Sequence, residues 1–180
     1  YANGIDVEGP ATGAITENNI TIKSVQSAYP IYSGMNGQNV SVSYIQNNIV
    51  AEAYLVLGMS LGDVESSILN NKIDIKGNYT TGIASRVSDL SVNGNVIIAD
   101  GSNVGNLSIW EAFGVETIGI KITAGVANIH DNDVQTTGNY SVDVKDTESI
   151  VEENDLYADE LVGDSSVAYT GNATVRNNRP

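Results

Sequence analysis

The chain has no cysteine, one tryptophan, one phenylalanine, one histidine and three prolines in 180 residues. Without cysteine there is no disulfide framework and no thiolate to hold a metal. The lone His130 stands beside Asp131 with no Ser or Cys in a nucleophile motif, so a catalytic triad has no third member to draw on. Positive charge is also scarce: eight Lys and Arg, scattered from Lys23 to Arg179, face 22 acids and leave a net charge of −14. Nucleic acid and anionic membrane surfaces both call for clustered Lys and Arg, so this balance argues against either as a partner. No apolar run is long enough to cross a membrane, and no Pro/Ser-rich linker divides the chain, which reads as one domain over residues 1–180. It opens on Tyr1 without a charged-then-apolar leader, the pattern of a processed or excised segment. Helical stripes are missing as well, because the stretches between Pro, Gly and Asn are short and β-branched.

What the chain does have is a repeat. Seven times an apolar residue is followed three positions later by Asn: Ile15 to Asn18, Ile45 to Asn48, Ile68 to Asn71, Val92 to Asn95, Ile129 to Asn132, Val151 to Asn154 and Val175 to Asn178. Self-similarity at a period of twenty-odd residues marks stacked repeats. In such a stack each coil must bend between short strands. Asn tolerates left-handed backbone there, and its amide can bond to the Asn one coil above, adding about 1 kcal/mol per hydrogen bond. After the bend, Ile20-Thr21-Ile22-Lys23, Ile73-Asp74-Ile75-Lys76, Ile120-Lys121-Ile122 and Val142-Asp143-Val144-Lys145 alternate in-out at period two. A further strand is clearest at Val40-Ser41-Val42 and at 55–62. The expected fold is all-β, a parallel β-helix or β-solenoid of stacked β-arches, with about seven coils, an Asn ladder at one bend and an aliphatic core.

Two intervals are long. The spacing from Asn95 to Asn132 predicts a lateral excursion near residues 103–120 carrying Trp110 and Phe113, which either cover a sheet face or contact a neighbouring subunit or a sugar. A smaller excursion is expected near Tyr29-Pro30-Ile31-Tyr32. Tyr54, Tyr79 and Tyr140 follow their Asn at similar offsets and would stack on one outer face, as a structural ladder or a carbohydrate strip.

Acidic residues concentrate from Asp131 to Asp164 against a single Lys145, and stacking would bring Asp133 and Asp155 together. This is either a solvated face, a Ca²⁺ site or the acid and base of a glycosidase. No Asp-x-[Asp/Asn]-x-[Asp/Asn]-Gly loop is present. Six Asn-x-Ser/Thr sequons begin at Asn19, Asn39, Asn78, Asn106, Asn139 and Asn172, against about three expected by chance, and none coincides with a ladder Asn. They are the candidate N-glycosylation sites.

The repeated Ile-x-x-Asn-x-[Ile/Val/Leu] bend, the abundance of Asn, Ser, Thr and Val, the absence of Cys and the acidic balance resemble the parallel β-helix surface proteins of methanogenic archaea, both the adhesin-like proteins and the sheath-forming subunits. The resemblance is at the level of the repeat, which pectate-lyase-like enzymes share, but the Asp, His and Arg-x-Lys signatures of pectin degradation are missing here. It implies an exported, glycosylated envelope protein on the cell surface. No nucleophile, base and oxyanion set converges in the repeat, so no catalytic residue and no cofactor are expected. Strand edges left uncapped at either end would pair with further copies. The functional expectation is a structural subunit of an extracellular sheath or surface layer, assembling with itself edge to edge into rings, tubes or filaments. The alternative is an adhesin or carbohydrate-binding module of a larger surface protein.

Overall fold

A computed structural model describes residues 2–8, 10–33, 40–62, 65–101, 117–159 and 161–180. The strands in chain order are β1 (Ala2–Val7), β2 (Ala11–Thr16), β3 (Asn19–Lys23), β4 (Ser27–Ser33), β5 (Val40–Ile45), β6 (Asn48–Glu52), β7 (Leu55–Gly62) and β8 (Glu65–Leu69). They continue as β9 (Lys72–Gly77), β10 (Tyr79–Asn93), β11 (Val96–Gly101), β12 (Ile118–His130), β13 (Asp133–Thr136), β14 (Tyr140–Glu152), β15 (Asp155–Tyr157) and β16 (Val167–Arg176). The only helical turn among the described residues is a 3-10 turn at Gly163–Ser166, so no helix there is long and apolar enough to cross a membrane.

The protein is all-β with parallel strands. A ten-stranded sheet runs β1-β4-β7-β10-β12-β14-β16, with a branch in which β2 pairs β5, β5 pairs β8 and β8 pairs the second half of β10. A six-stranded sheet runs β3-β6-β9-β11-β13-β15. The chain therefore visits the same places in the same order on every pass: main path, branch, Asn bend, six-stranded sheet. From β10 onward the first two strands of a pass fuse into one long strand, with its two halves paired separately to β7 and β8.

Alternation explains why these segments are strands. Burial in β3, β6 and β9 switches strictly between exposed and buried, so Ile20, Ile22, Ile49, Ala51, Ile73 and Ile75 point inward. Each fully buried aliphatic side chain contributes about 1.5–3 kcal/mol. Together they meet Ile31, Met59, Ile83, Ile120 and Val142 from the facing sheet in one continuous core.

The two walls approach closely because the main path presents glycine to the isoleucine column. A Cβ on Gly58 would stand 2.8 Å from Ile73 Cγ2, and one on Gly82 would be 2.5 Å from the Gly119 carbonyl and closer still to Ile97 Cγ2. Gly119 faces Val134 Cγ1 in the same way. Small residues here let branched aliphatics pack against backbone.

Two sequence expectations need correction. Tyr29-Pro30-Ile31-Tyr32 is no excursion: it lies within β4, where Ile31 pairs both Ile5 and Met59. The excursion expected at 103–120 also ends earlier, since Ile118, Gly119 and Ile120 belong to β12. Trp110 and Phe113 lie outside the described residues.

Candidate functional site

The bend between the branch and the six-stranded sheet is the most regular polar feature. In every pass the residue before the ladder Asn takes the left-handed conformation: Glu17 (φ 56°), Gln46 (55°), Asn70 (55°), Gly94 (65°), Asp131 (55°), Glu153 (58°) and Asn177 (58°). The left-handed role falls on that residue rather than on the Asn, which corrects the reading from sequence. The strain is of order 1–2 kcal/mol for a non-glycine residue. It recurs because it turns the chain through the corner and aims the Asn side chain along the stack.

The ladder itself is Asn18, Asn47, Asn71, Asn95, Asn132, Asn154 and Asn178. The backbone N–H and the Nδ2 of each Asn both donate to Oδ1 of the next. The distances are 3.1 and 3.0 Å from Asn18 to Asn47, 2.9 and 3.0 Å from Asn47 to Asn71, and 2.9 and 3.0 Å from Asn71 to Asn95. They are 3.0 and 2.9 Å from Asn95 to Asn132, 3.0 and 2.9 Å from Asn132 to Asn154, and 3.1 and 2.8 Å from Asn154 to Asn178. The second rung is Asn47, which is 1% exposed. Asn48 is instead the exposed first residue of β6, and its Nδ2 donates to Asn19 Oδ1 at 3.2 Å. An amide fits this place because one short side chain accepts two bonds through its oxygen while donating through its nitrogen, leaving no buried polar atom of the bend unpaired.

The ladder has a direction and an end. At Asn178 the pattern continues, but the acceptor is a carboxylate: the backbone N–H (3.0 Å) and Nδ2 (2.6 Å) both donate to Asp164 Oδ1. Asp164 comes from the 3-10 turn, which reaches the bend after Val162 bridges antiparallel to Tyr157. Arg179 bridges parallel to Asp155 on the same edge. The expectation of uncapped edges therefore needs correcting at the C-terminal side of the six-stranded sheet, where β15 is covered. Sequence reasoning missed Asp164 because it belongs to no repeat.

The other candidate residues are distributed as follows. Asp133 and Asp155 are paired across β13 and β15, but each is engaged: Gln135 Nε2 donates to Asp133 at 3.2 Å and Arg179 Nε to Asp155 at 2.7 Å. No group of three or more His, Cys, Asp or Glu among the described residues could hold a metal ion. Asp143, 1% exposed, meets Lys145 Nζ at 2.9 Å through Oδ2. His130 is a bridge between neighbours: Asn93 Nδ2 lies 3.1 Å from Nε2, and Nδ1 lies 3.0 Å from Asp131 Oδ2.

The three tyrosines do not form one stack. Tyr54 and Tyr79 meet edge to face at 5.8 Å, whereas Tyr140 stands at the register of Ile118 and Thr81. Among the sequons, Asn39 and Asn106 lie outside the described residues. Asn19 and Asn172 are exposed together with Thr21 and Thr174. Asn78 and Asn139 are followed by Thr80 and Ser141, both 0% exposed.

Among the described residues, two grooves have walls that bear on function. One of about 600 Å³ lies on the outer face of the six-stranded sheet, beneath the segment that covers β15, and is lined by Asp100, Gln135, Thr137, Tyr157, Asp159 and Val162 among others. The other, of about 390 Å³, crosses the branch and holds Ser43, Ser67, Ser91, Glu65, Asp89 and Asn128. In the first, Lys76 pairs with Asp100 at 3.3 Å, and the Thr137 hydroxyl is spent on the backbone of Gly101. Its walls offer an aromatic ring and hydrogen-bonding groups.

The chain matches no protein-family model, no curated protein and no solved structure.

Proposed function

We propose that the chain is a parallel β-solenoid that serves as a structural unit of an extracellular sheath or surface layer, and that copies of it join through their terminal strands. The repetition of strand order, bend and ladder over seven passes supports the solenoid. One observation carries the self-association: among the described residues, β1, β2, β3 and β16 each pair on one side only. Their free edges expose a row of backbone donors and acceptors, a template for another strand. Partly buried Ile5, Val7, Ala11 and Ile15 pack against the core from β1 and β2. No catalytic role enters this reading, since Asp133 and Asp155 are held by neighbours in the manner of surface ladder residues. Glycans on Asn19 and Asn172 suit a surface location.

The test is sedimentation velocity over a hundredfold range of protein concentration, with and without divalent cation, followed by negative-stain microscopy. Linear or tubular assemblies are expected. A monomer throughout overturns the proposal.

A second reading, a carbohydrate-binding module of a larger surface protein, rests on the groove at Tyr157. Its signature is a saturable change in Tyr157 resonances on titration with oligosaccharides, abolished in Tyr157→Ala.

A further inference from the structure

The groove at Tyr157 carries a charge that decides among sugars. It forms where the repeat is broken: after β15 the chain turns back so that Val162 bridges antiparallel to Tyr157, which raises a wall beside the outer face of the six-stranded sheet. From this geometry we infer that the groove takes a chain of amino sugars, whose protonated amine is held between the Asp159 carboxylate and the Tyr157 ring. This rests on the carbohydrate reading given above and is independent of how copies associate.

The floor suits a sugar ring. Ile98, Gln135 and Tyr157 share one register position on β11, β13 and β15, so they stand in a row across the sheet. At the usual interstrand spacing the row is about 10 Å long, the length of a short oligosaccharide. Ile98 is half-buried, while Tyr157 and Val162 are exposed, so an apolar floor ends in an available aromatic face. Gln135 spends its Nε2 on Asp133 at 3.2 Å, and among the described residues nothing donates to its amide oxygen, which is left for a ligand hydroxyl.

Charge then selects the sugar. Among the described residues Asp100 and Asp159 line the groove and no Lys or Arg does. Lys76 already compensates Asp100 at 3.3 Å, from the neighbouring strand β9. Arg179 and Gln135 take up Asp155 and Asp133 beside the floor. Asp159 is different. It is exposed, its backbone N–H is engaged by the Gly138 carbonyl at 3.1 Å, and its carboxylate has no partner among the described residues.

A polyuronate would meet uncompensated negative charge in a chain of net −14, and a neutral glycan would leave Asp159 unpaired. A protonated amine answers both the carboxylate and the ring, by a charge-assisted hydrogen bond and a cation–π contact. Either contact alone is weak in an open groove, so the preference depends on the two together. A lysine-rich peptide offers the same ammonium without the flat apolar ring that the row of Ile98 and Tyr157 accepts.

The test titrates the full chain, at mildly acidic pH, with oligomers of glucosamine, of N-acetylglucosamine and of galacturonic acid, and with oligolysine. Calorimetry gives the affinities, and the Tyr157 ring resonances locate the contact. The glucosamine oligomer should bind about tenfold more tightly than its acetylated counterpart. That ratio should shrink in about 1 M salt, and the galacturonate oligomer should not bind. Asp159→Asn should weaken only the glucosamine oligomer and bring the two within about threefold of each other. Asp89→Asn, on the second half of β10, should change neither, and Tyr157→Ala should abolish both, each variant keeping the wild-type circular dichroism spectrum. Equal binding of the two hexosamine oligomers, or a preference that Asp159→Asn leaves intact, overturns the amino-sugar assignment while the carbohydrate reading stands. Oligolysine binding as tightly as the glucosamine oligomer assigns the groove to a peptide and overturns it too. If no oligosaccharide shifts Tyr157, both proposals fall.

Discussion

Tyr44 pairs with Ile68 across β5 and β8, so a phenol ring fills the slot that a branched aliphatic side chain fills in the neighbouring passes. It is 0% exposed, and its hydroxyl has no hydrogen-bond partner. Burial pushes its ionisation above that of a free phenol. The nearby Ser33 hydroxyl opposes the shift slightly, but no bond of acceptable geometry joins the two. A buried unsatisfied hydroxyl costs about 1–3 kcal/mol. Tyr44→Phe should therefore be neutral or raise stability by up to about 1 kcal/mol in urea denaturation. A loss greater than that would mean the hydroxyl has a partner.

The same residue shifts the ladder. Because Tyr44 rather than Ile45 takes the inward slot, the rung is three residues on from Tyr44, at Asn47. Asn47→Ala removes the acceptor of both Asn18 donors and one of the two donors to the Asn71 oxygen, leaving it only the backbone N–H of residue 47, and should cost about 2–4 kcal/mol. Asn48→Ala removes an exposed side chain and should stay within about 0.5 kcal/mol of wild type. Equal losses from the two substitutions would contradict the register.

Most of the architecture was legible because two periods coincide: alternation at two along the strands, and recurrence of the bend at twenty-odd residues. Six of seven rungs could be read from an aliphatic residue followed by Asn three positions later. The seventh failed because an adjacent Ile45-Asn48 pair satisfied the same pattern one residue out of step, and only packing distinguishes them. The left-handed residue was not legible: Glu, Gln, Asn, Gly and Asp all occupy it, so no residue type announces it. Asp164 lay in the acidic stretch, where its neighbours gave it no distinct signal. The tyrosine stack failed because offsets were counted from the bend alone: Lys72 and Asp133 share one register position and Thr81 and Tyr140 another, so the path from β13 into β14 is two residues shorter (133 to 140 against 72 to 81) than the path from β9 into β10.

Close approach of the two walls sets a third expectation. Gly82→Ala would drive a methyl into Ile97 and the Gly119 carbonyl, neither of which can move freely, and should destabilise by about 1–3 kcal/mol. Gly94→Ala meets only the Asn70 side-chain oxygen, which can rotate away, and carries the left-handed strain that its non-glycine counterparts already bear, so about 1 kcal/mol is expected. Thermal unfolding of the two variants distinguishes them. The ranking is wrong if Gly94→Ala is the more damaging.

A fourth concerns pH. Lys23 Nζ donates to Glu52 at 2.8 Å, which holds the Glu52 carboxyl below the usual carboxylate range and lifts the Lys23 ammonium above its own. A depressed carboxyl stabilises above the ordinary carboxylate range and loses its contribution as pH falls through the lowered value. A raised ammonium stabilises below the ordinary lysine range and loses its contribution as pH rises through the raised value. The difference in Tm between wild type and Glu52→Gln should therefore form a plateau at intermediate pH, fall away at both extremes and shrink in about 1 M salt, since the pair is exposed. A difference independent of both pH and salt would show that the substitution acts otherwise.

That ion pair belongs to a longer row. Along the outer face of the six-stranded sheet, Lys23, Glu52, Lys76 and Asp100 occupy successive strands at one register position, each beside a residue of opposite sign. Alternation makes the stack sensitive to parity. Removing the pass that holds Glu52 would set Lys23 against Lys76, and duplicating it would set two glutamates side by side. Removing or adding two adjacent passes would leave every neighbour matched. Over this stretch the protein is thus built so that its length can change in pairs of passes more readily than singly, a rule written in its surface charge rather than in its core.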